Sequence, residues 1–199
     1  MARPRKDQDG PSARERIVSA FWEMLEDVGY GQMTARALCS RAGVSTSTLY
    51  SHFPGGIPDV AAAALPEALI GELPGMVMAG TAFAEGSPLL EDGTAAYRAM
   101  HCMRLYAASG SPMLASMLRD AILASWLKAT GVEPGDLCPI ERVQLSFVLG
   151  GVIGVIGDMS MQPSLESFKT LFELELGLAI ARTLSGLKEV HAGDARDSA

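Results

Sequence analysis

Cysteine is scarce in this chain. Cys39, Cys102 and Cys138 are odd in number, and no two form a CxxC pair. That spacing excludes a disulfide framework and the usual zinc ribbons, and it suits a reducing compartment. Histidine is equally sparse, and no two histidines stand four apart on a helix as a metallohydrolase would need. GxSxG, P-loop and GxGxxG sequences are all missing. The expectation is therefore a protein that is not an enzyme and needs no cofactor or metal. No long apolar run is present either. The longest, residues 145–157, is 13 residues, short of the roughly 20 that span a bilayer. The N-terminus lacks the apolar stretch of a signal peptide. A cytoplasmic protein with no membrane partner is expected. No internal repeat and no strand alternation appear, so the fold class expected is all-α.

Apolar residues make up 48% of the 199 positions and charged ones 20%, enough to bury a large core. The net charge of −7 opposes nucleic-acid binding, but it is unevenly spread. Residues 1–53 hold seven Lys/Arg against six Asp/Glu, whereas residues 54–199 hold nine against seventeen. A near-neutral head on an acidic body suits a DNA-binding domain carried by something else. Arg3, Arg5 and Lys6 lie in a Pro- and Gly-containing start, residues 1–11, expected to be a disordered basic arm.

Helix signals then follow closely. Ser12 and Glu15 have capping-box spacing, and Ile17, Phe21, Leu25 and Val28 recur at helical intervals up to Gly29. Thr34 caps a second helix. Gly43 stands where that helix must stop and the chain must reverse, because glycine takes positive φ without a Cβ penalty. Ser45 caps a third helix. In it Leu49 and Phe53 are four apart and face inward, while Ser47 and Ser51 face outward with Thr48 and Tyr50 beside them. Short hydroxyl side chains let a helix enter the major groove and can bond phosphates or base edges. The pattern is a helix-turn-helix with residues 45–52 as its reading helix. Cys39, four before Gly43, is the small residue that lets the two helices approach.

The stretch Gly29–Tyr30, Thr34, Leu38, Arg41–Ala42–Gly43–Val44–Ser45, Thr48–Leu49–Tyr50 and His52–Phe53 resembles the N-terminal domain of TetR-type transcriptional regulators. The resemblance covers about 45 residues; the rest matches only as a helical body of suitable length. It implies a homodimer, a double-stranded DNA operator with two-fold symmetry, and a small-molecule inducer that alters the spacing of the reading helices. It also implies DNA contacts by Thr34, Arg36, Ser45, Thr46, Ser47, Thr48, Tyr50, Ser51 and His52. One departure stands out. Where the family has a phosphate-contacting lysine near the start of the fourth helix, this chain has Gly56, within Pro54-Gly55-Gly56-Ile57-Pro58-Asp59. Free N–H groups of Gly55 and Gly56 are expected to replace that lysine in part, with Asp59 working against them.

Beyond residue 58 the breaks at Pro74, Gly86–Pro88, Gly110–Pro112, Gly131–Gly135 and Gln162–Pro163 separate helices expected over about 58–73, 89–109, 112–130, 140–159 and 163–187, with Pro66 kinking the first. The domain organisation expected is a helix-turn-helix domain over 12–56, a ligand-binding and dimerisation domain over 57–188, and a frayed tail over 189–199. Of eleven methionines, six (Met76, Met78, Met100, Met103, Met113 and Met117) concentrate in the middle helices. Methionine is flexible and polarizable, so Met100, Met103 and Met117, with Trp126, are candidate walls of a pocket for a small hydrophobic ligand, although core filling explains any single one equally well. Phe83 and Tyr106 are further candidate walls. Gly150, Gly154 and Gly157 lie along one helix face, and the last helix, with Phe168 and Phe172, is apolar on more than one side. Together they mark either a dimer interface, as the resemblance implies, or the interior of one subunit. The reading is a ligand-responsive DNA-binding repressor. The alternative is a helical sensor or carrier of hydrophobic small molecules that no longer binds DNA.

Overall fold

The structure, a computed structural model, describes residues 10–66, 71, 75–76, 94–158 and 177–197. Among the described residues every regular element is helical, as the sequence predicts. The chain divides into two compact units, Met1–Leu65 and Pro66–Ala199.

The first unit holds α1 (Ala13–Asp27), a 3-10 turn (Tyr30–Gln32), α2 (Ala35–Ala42), α3 (Thr46–His52) and α4 (Ile57–Ala64). The predicted capping box opens α1. Ser12 Oγ accepts the Glu15 N–H at 3.2 Å, and the Glu15 carboxylate accepts the Ser12 N–H at 2.7 Å. Those bonds hold the Glu15 carboxyl below the ordinary carboxylate range. Ile17, Phe21, Leu38, Leu49, Val60 and Ala61 form the centre of this unit, each fully buried. An ion pair from Arg41 to Asp27, with Glu23 at 3.8 Å, ties α2 to α1 on the surface. Exposed pairs of this kind contribute under about 1 kcal/mol.

Two expectations are corrected here. The predicted domain boundary at 56/57 falls instead after Leu65, because α4 packs on α1 and buries Val60, Ala61 and Ala64. The helix predicted over 58–73 with a kink at Pro66 ends at Ala64. Leu65 is extended at ψ 128°, the conformation that a following proline enforces.

The second unit holds α5 (Ala95–Ala107), α6 (Pro112–Thr130), α7 (Pro139–Asp158) and α8 (Gly177–Asp197). Ser111 caps α6, and Gly131 ends it in the left-handed region at φ 73°. α5, α6 and α7 pack against one another, and α8 packs on α6 and α7. The core is built from Met103, Tyr106, Leu114, Leu118, Ile122, Trp126, Leu145, Leu149, Val152, Ile156, Ile180 and Leu184. The tail predicted to fray from residue 189 is helical to Asp197. No proline interrupts it, and Leu, Lys, Glu, Ala and Arg favour continuation. Residues 1–9 of the arm predicted over 1–11 lie outside the described residues, as do most of 67–93 and all of 159–176.

The apolar run over 145–157 sits inside the 20-residue α7, which is long and apolar enough to cross a membrane by length and composition. Leu145, Leu149, Val152 and Ile156 recur on one stripe and are buried against the neighbouring helices.

Candidate nucleic-acid interface

The turn between α2 and α3 is built as the sequence predicts. Gly43 sits at φ 63° and ψ 39°, and its N–H reaches the carbonyls of Cys39 and Ser40. The Val44 N–H bonds the Cys39 carbonyl at 3.0 Å, closing α2. Cys39 is buried, and its thiol lies 3.8 Å from the Ser45 carbonyl across the turn. A bulkier side chain there would push α3 away from α2.

α3 hangs on this turn through Leu49 and Phe53, at 0% and 2% exposure. Its other side faces solvent. Thr46, Ser47, Tyr50, Ser51 and His52 are exposed and Thr48 is half-buried. Ser45 Oγ accepts the Thr48 N–H at 3.1 Å and lies 2.8 Å from both Ser47 Oγ and Thr48 Oγ1. One hydroxyl has one donor and two acceptor positions, so the capacity of Ser45 is filled by holding the start of α3. Thr34 plays the same local part in α2, accepting the Ala37 N–H at 3.2 Å, and is exposed. Arg36 is exposed one residue into α2 and makes no ion pair with the described residues, unlike Arg41.

The corner between α3 and α4 differs from the sequence expectation. The N–H groups of Gly55 and Gly56 are not free to receive a phosphate. Gly55 donates to Asp59 Oδ2 at 2.6 Å, and Gly56 donates to the Phe53 carbonyl at 2.8 Å. The carboxylate reaches back from the first turn of α4 and takes the amide that an anion would use. Gly56 stands at φ 71°, and a Cβ there would meet the Tyr50 ring at 3.3 Å. Glycine at 56 thus serves the backbone and gives Tyr50 its seat. Tyr50 keeps 48% of its surface exposed.

In the second unit the candidate ligand residues divide. Met103 and Trp126 are buried at 0% and 2% exposure, while Met100 and Met117 are half-buried. Tyr106 is fully buried. Phe83, Phe168 and Phe172 lie outside the described residues. The three glycines of α7 also divide. Gly150 and Gly154 are exposed, and a Cβ on either would meet nothing within 4 Å. Gly157 belongs elsewhere, since a Cβ there would lie 3.3 Å from the Ala107 carbonyl oxygen. It is the close approach of α7 to α5 inside one chain, which corrects its place in the predicted interface groove.

Residues that the sequence reading missed complete that exposed face. Ile140, Val143 and Phe147 are 61%, 64% and 82% exposed on α7, with Leu178 exposed on α8. Positions 140, 143, 147, 150 and 154 follow alternating steps of three and four, the spacing of a helix-pairing seam. They stand on the side of α7 opposite Leu145, Leu149, Val152 and Ile156. Beside the Phe147 ring is a shallow apolar hollow of about 420 Å³ lined by Ser146, Val148, Gly150, Gly151 and Ala179. The step pattern was present in the sequence, but a helix apolar on both sides hides which stripe faces inward.

The comparisons with known proteins bear on the first unit. Residues 17–55 match the family model described as bacterial regulatory proteins, tetR family. Nucleoid occlusion factor SlmA from Aliivibrio fischeri, in strains MJ11 and ATCC 700601 / ES114, is 44% identical over 55 residues, which are 27% of this chain. The match spans 26% of the length of those curated relatives. Two solved structures are similar over most of the chain. A transcriptional regulator from Rhodococcus sp. Rha1 shares 24% identity over 89% of this chain and 97% of its own, at a TM-score of 0.48. The TetR family repressor AlkX from Dietzia sp. strain DQ12-45-1b shares 18% over 88% and 96%, at 0.41. The αL turn at Gly43, the buried Leu49 and Phe53 and the polar outer face of α3 all fall within the matched stretch, so the N-terminal unit is similar, over residues 17–55, to the tetR family of bacterial regulatory proteins.

Proposed function

We propose that this chain is a dimeric transcriptional regulator of the cytoplasm, a repressor that leaves its operator when a hydrophobic small molecule binds. The observation that carries the DNA-binding part is the outer face of α3. Thr46, Ser47, Tyr50, Ser51 and His52 stand exposed on a helix whose other side is locked into the unit by Leu49 and Phe53. Tyr50 and His52 make contacts at its far end, Ser47 and Thr48 near its cap, and Thr34 and Arg36 hold the DNA backbone. Two such helices in a dimer meet successive major grooves about 34 Å apart.

The test removes Tyr50 and His52 together. Their exposure means that Tyr50→Ala with His52→Ala leaves folding intact, and a loss of two polar contacts should weaken operator binding about a hundredfold. Mobility shift against operator fragments selected from random sequence measures it. Affinity equal to the unaltered protein would remove α3 from the interface.

The self-association surface is the exposed stripe of α7 with Gly150 and Gly154, covered by the same stripe of a second copy. A stripe of this size left in water is unfavourable, and its 3–4 spacing fits another helix. Phe168 and Phe172 are candidates to flank it.

The ligand site is among α5 and α6, with Met100 and Met117 as adaptable walls and Met103 and Trp126 behind them. A ligand that binds the conformer with the wrong spacing shifts the population away from DNA, and DNA must weaken the ligand by the same factor. Met117→Ser should reduce binding of an uncharged apolar dye such as N-phenyl-1-naphthylamine without changing ligand-free DNA affinity. Dye binding that is indifferent to Met117 and to Met100 would move the pocket elsewhere.

The spent amides of Gly55 and Gly56 favour a second reading, a carrier or sensor of hydrophobic molecules that no longer binds DNA. Absence of any salt-dependent DNA binding would select it.

A further inference from the structure

At the α3–α4 corner the Gly55 and Gly56 amides are taken, yet a cation with no ion pair among the described residues lies over the Phe53 ring. The Arg14 guanidinium carbon sits 5.4 Å from the centroid of the Phe53 ring. That distance is within cation–π range, where the attraction holds the cation in one place. Phe53 is the C-cap of α3, the residue directly after His52, and its carbonyl receives the Gly56 N–H. Arg14 is exposed and forms no hydrogen bond or ion pair with the described residues. Arg41, by contrast, is neutralised by Asp27 and Glu23. A guanidinium stacked on a ring keeps its N–H edges clear of that ring, and those edges match the oxygens of a phosphate.

We propose that Arg14 is a phosphate-binding residue of the DNA interface, fixed by the Phe53 ring beside the corner where Asp59 and the Phe53 carbonyl occupy the Gly55 and Gly56 amides. The proposal rests on the DNA-binding reading above and adds to it a contact from α1. The stacked arginine begins close to its bound geometry, so little side-chain freedom is lost on binding. The Asp59 carboxylate makes the cation more necessary, since it takes the Gly55 amide and places a negative charge at the corner.

The test uses the full-length protein and a fluorescein-labelled pool of random-sequence duplex DNA, whose binding is dominated by phosphate contacts. Arg14→Met keeps an unbranched stem over Phe53 and removes the charge; Arg14→Lys keeps the charge. Anisotropy titrations at several salt concentrations give the slope of log affinity against log salt for each. Each lost phosphate contact flattens that slope by about one unit per chain. Arg14→Met should flatten it by that amount and bind about tenfold more weakly at low salt. Arg14→Lys should restore most of the slope. A slope for Arg14→Met equal to that of the unaltered protein overturns the proposal and leaves the DNA-binding reading in place. Equal flattening in the Met and Lys variants also overturns it, because the effect is then one of packing rather than charge. Absence of salt-dependent binding by the unaltered protein overturns the DNA-binding reading itself.

Discussion

Phe147→Asp should break the proposed dimer into monomers. The ring is 82% exposed in the single chain and sits at the middle of the stripe Ile140, Val143, Phe147, Gly150 and Gly154. A central aromatic at an interface commonly accounts for about 2 kcal/mol or more, and a carboxylate in its place must also be desolvated, so self-association should weaken by at least about 30-fold. Folding of the monomer should be untouched, since none of the described residues covers that ring. Operator binding should fall further than self-association, because two linked reading helices become one; losing bivalency removes about 10²–10⁴ in avidity. Gly154→Leu is a companion with a different mechanism. Its Cβ enters open space in the single chain, and leucine favours helix by nearly 1 kcal/mol over glycine. The monomer should therefore hold while close approach of a second helix is blocked. Sedimentation equilibrium reads both variants, and an unchanged dimer constant in both would place the interface on another surface.

Leu49→Ala should abolish DNA binding by unfolding the first unit rather than by removing a contact. Leu49 is at 0% exposure, and α3 has seven residues, too few to persist without its packing. Truncation of a fully buried leucine costs about 2–5 kcal/mol, a large share of what a small domain possesses. The expected record is a loss of helical circular dichroism at a lower temperature in Leu49→Ala, with the dimer constant unchanged because Leu49 lies outside the second unit. Ser51→Ala is the control: Ser51 is exposed on the same helix and should leave the melting curve in place. Melting of Leu49→Ala at the normal midpoint would contradict the anchoring role of that side chain.

Some of this molecule was legible from local chemistry. The capping box at Ser12, the αL stop at Gly43 and the caps at Thr34 and Ser45 each involve residues within a few positions of one another. Their bonding is therefore settled by sequence and backbone sterics. The inward spacing of Leu49 and Phe53 follows in the same way from helix periodicity. The helix boundaries at Pro112 and Gly131 are marked by residues that start and stop helices.

Tertiary structure decided what depended on partners distant in sequence. Local signals ended a domain at residue 56; the packing of Val60 and Ala61 on α1 carried it to Leu65. Glycine spacing on α7 offered one groove, but Gly157 closes on Ala107, fifty residues earlier, whereas Gly150 and Gly154 face open space. α7 is apolar on opposite sides, so periodicity alone gave no reason to place Leu145 inside and Phe147 outside; only the positions of α5, α6 and α8 did that. The corner amides looked free in one dimension, and only the folded backbone brought the Asp59 carboxylate onto Gly55 and Arg14 over Phe53. Sequence by itself determined the helices, their caps and the polar face of α3, because those depend on neighbours along the chain. The buried side of α7, the domain boundary and the charge at the corner depend on neighbours in space, and only the tertiary structure supplied them.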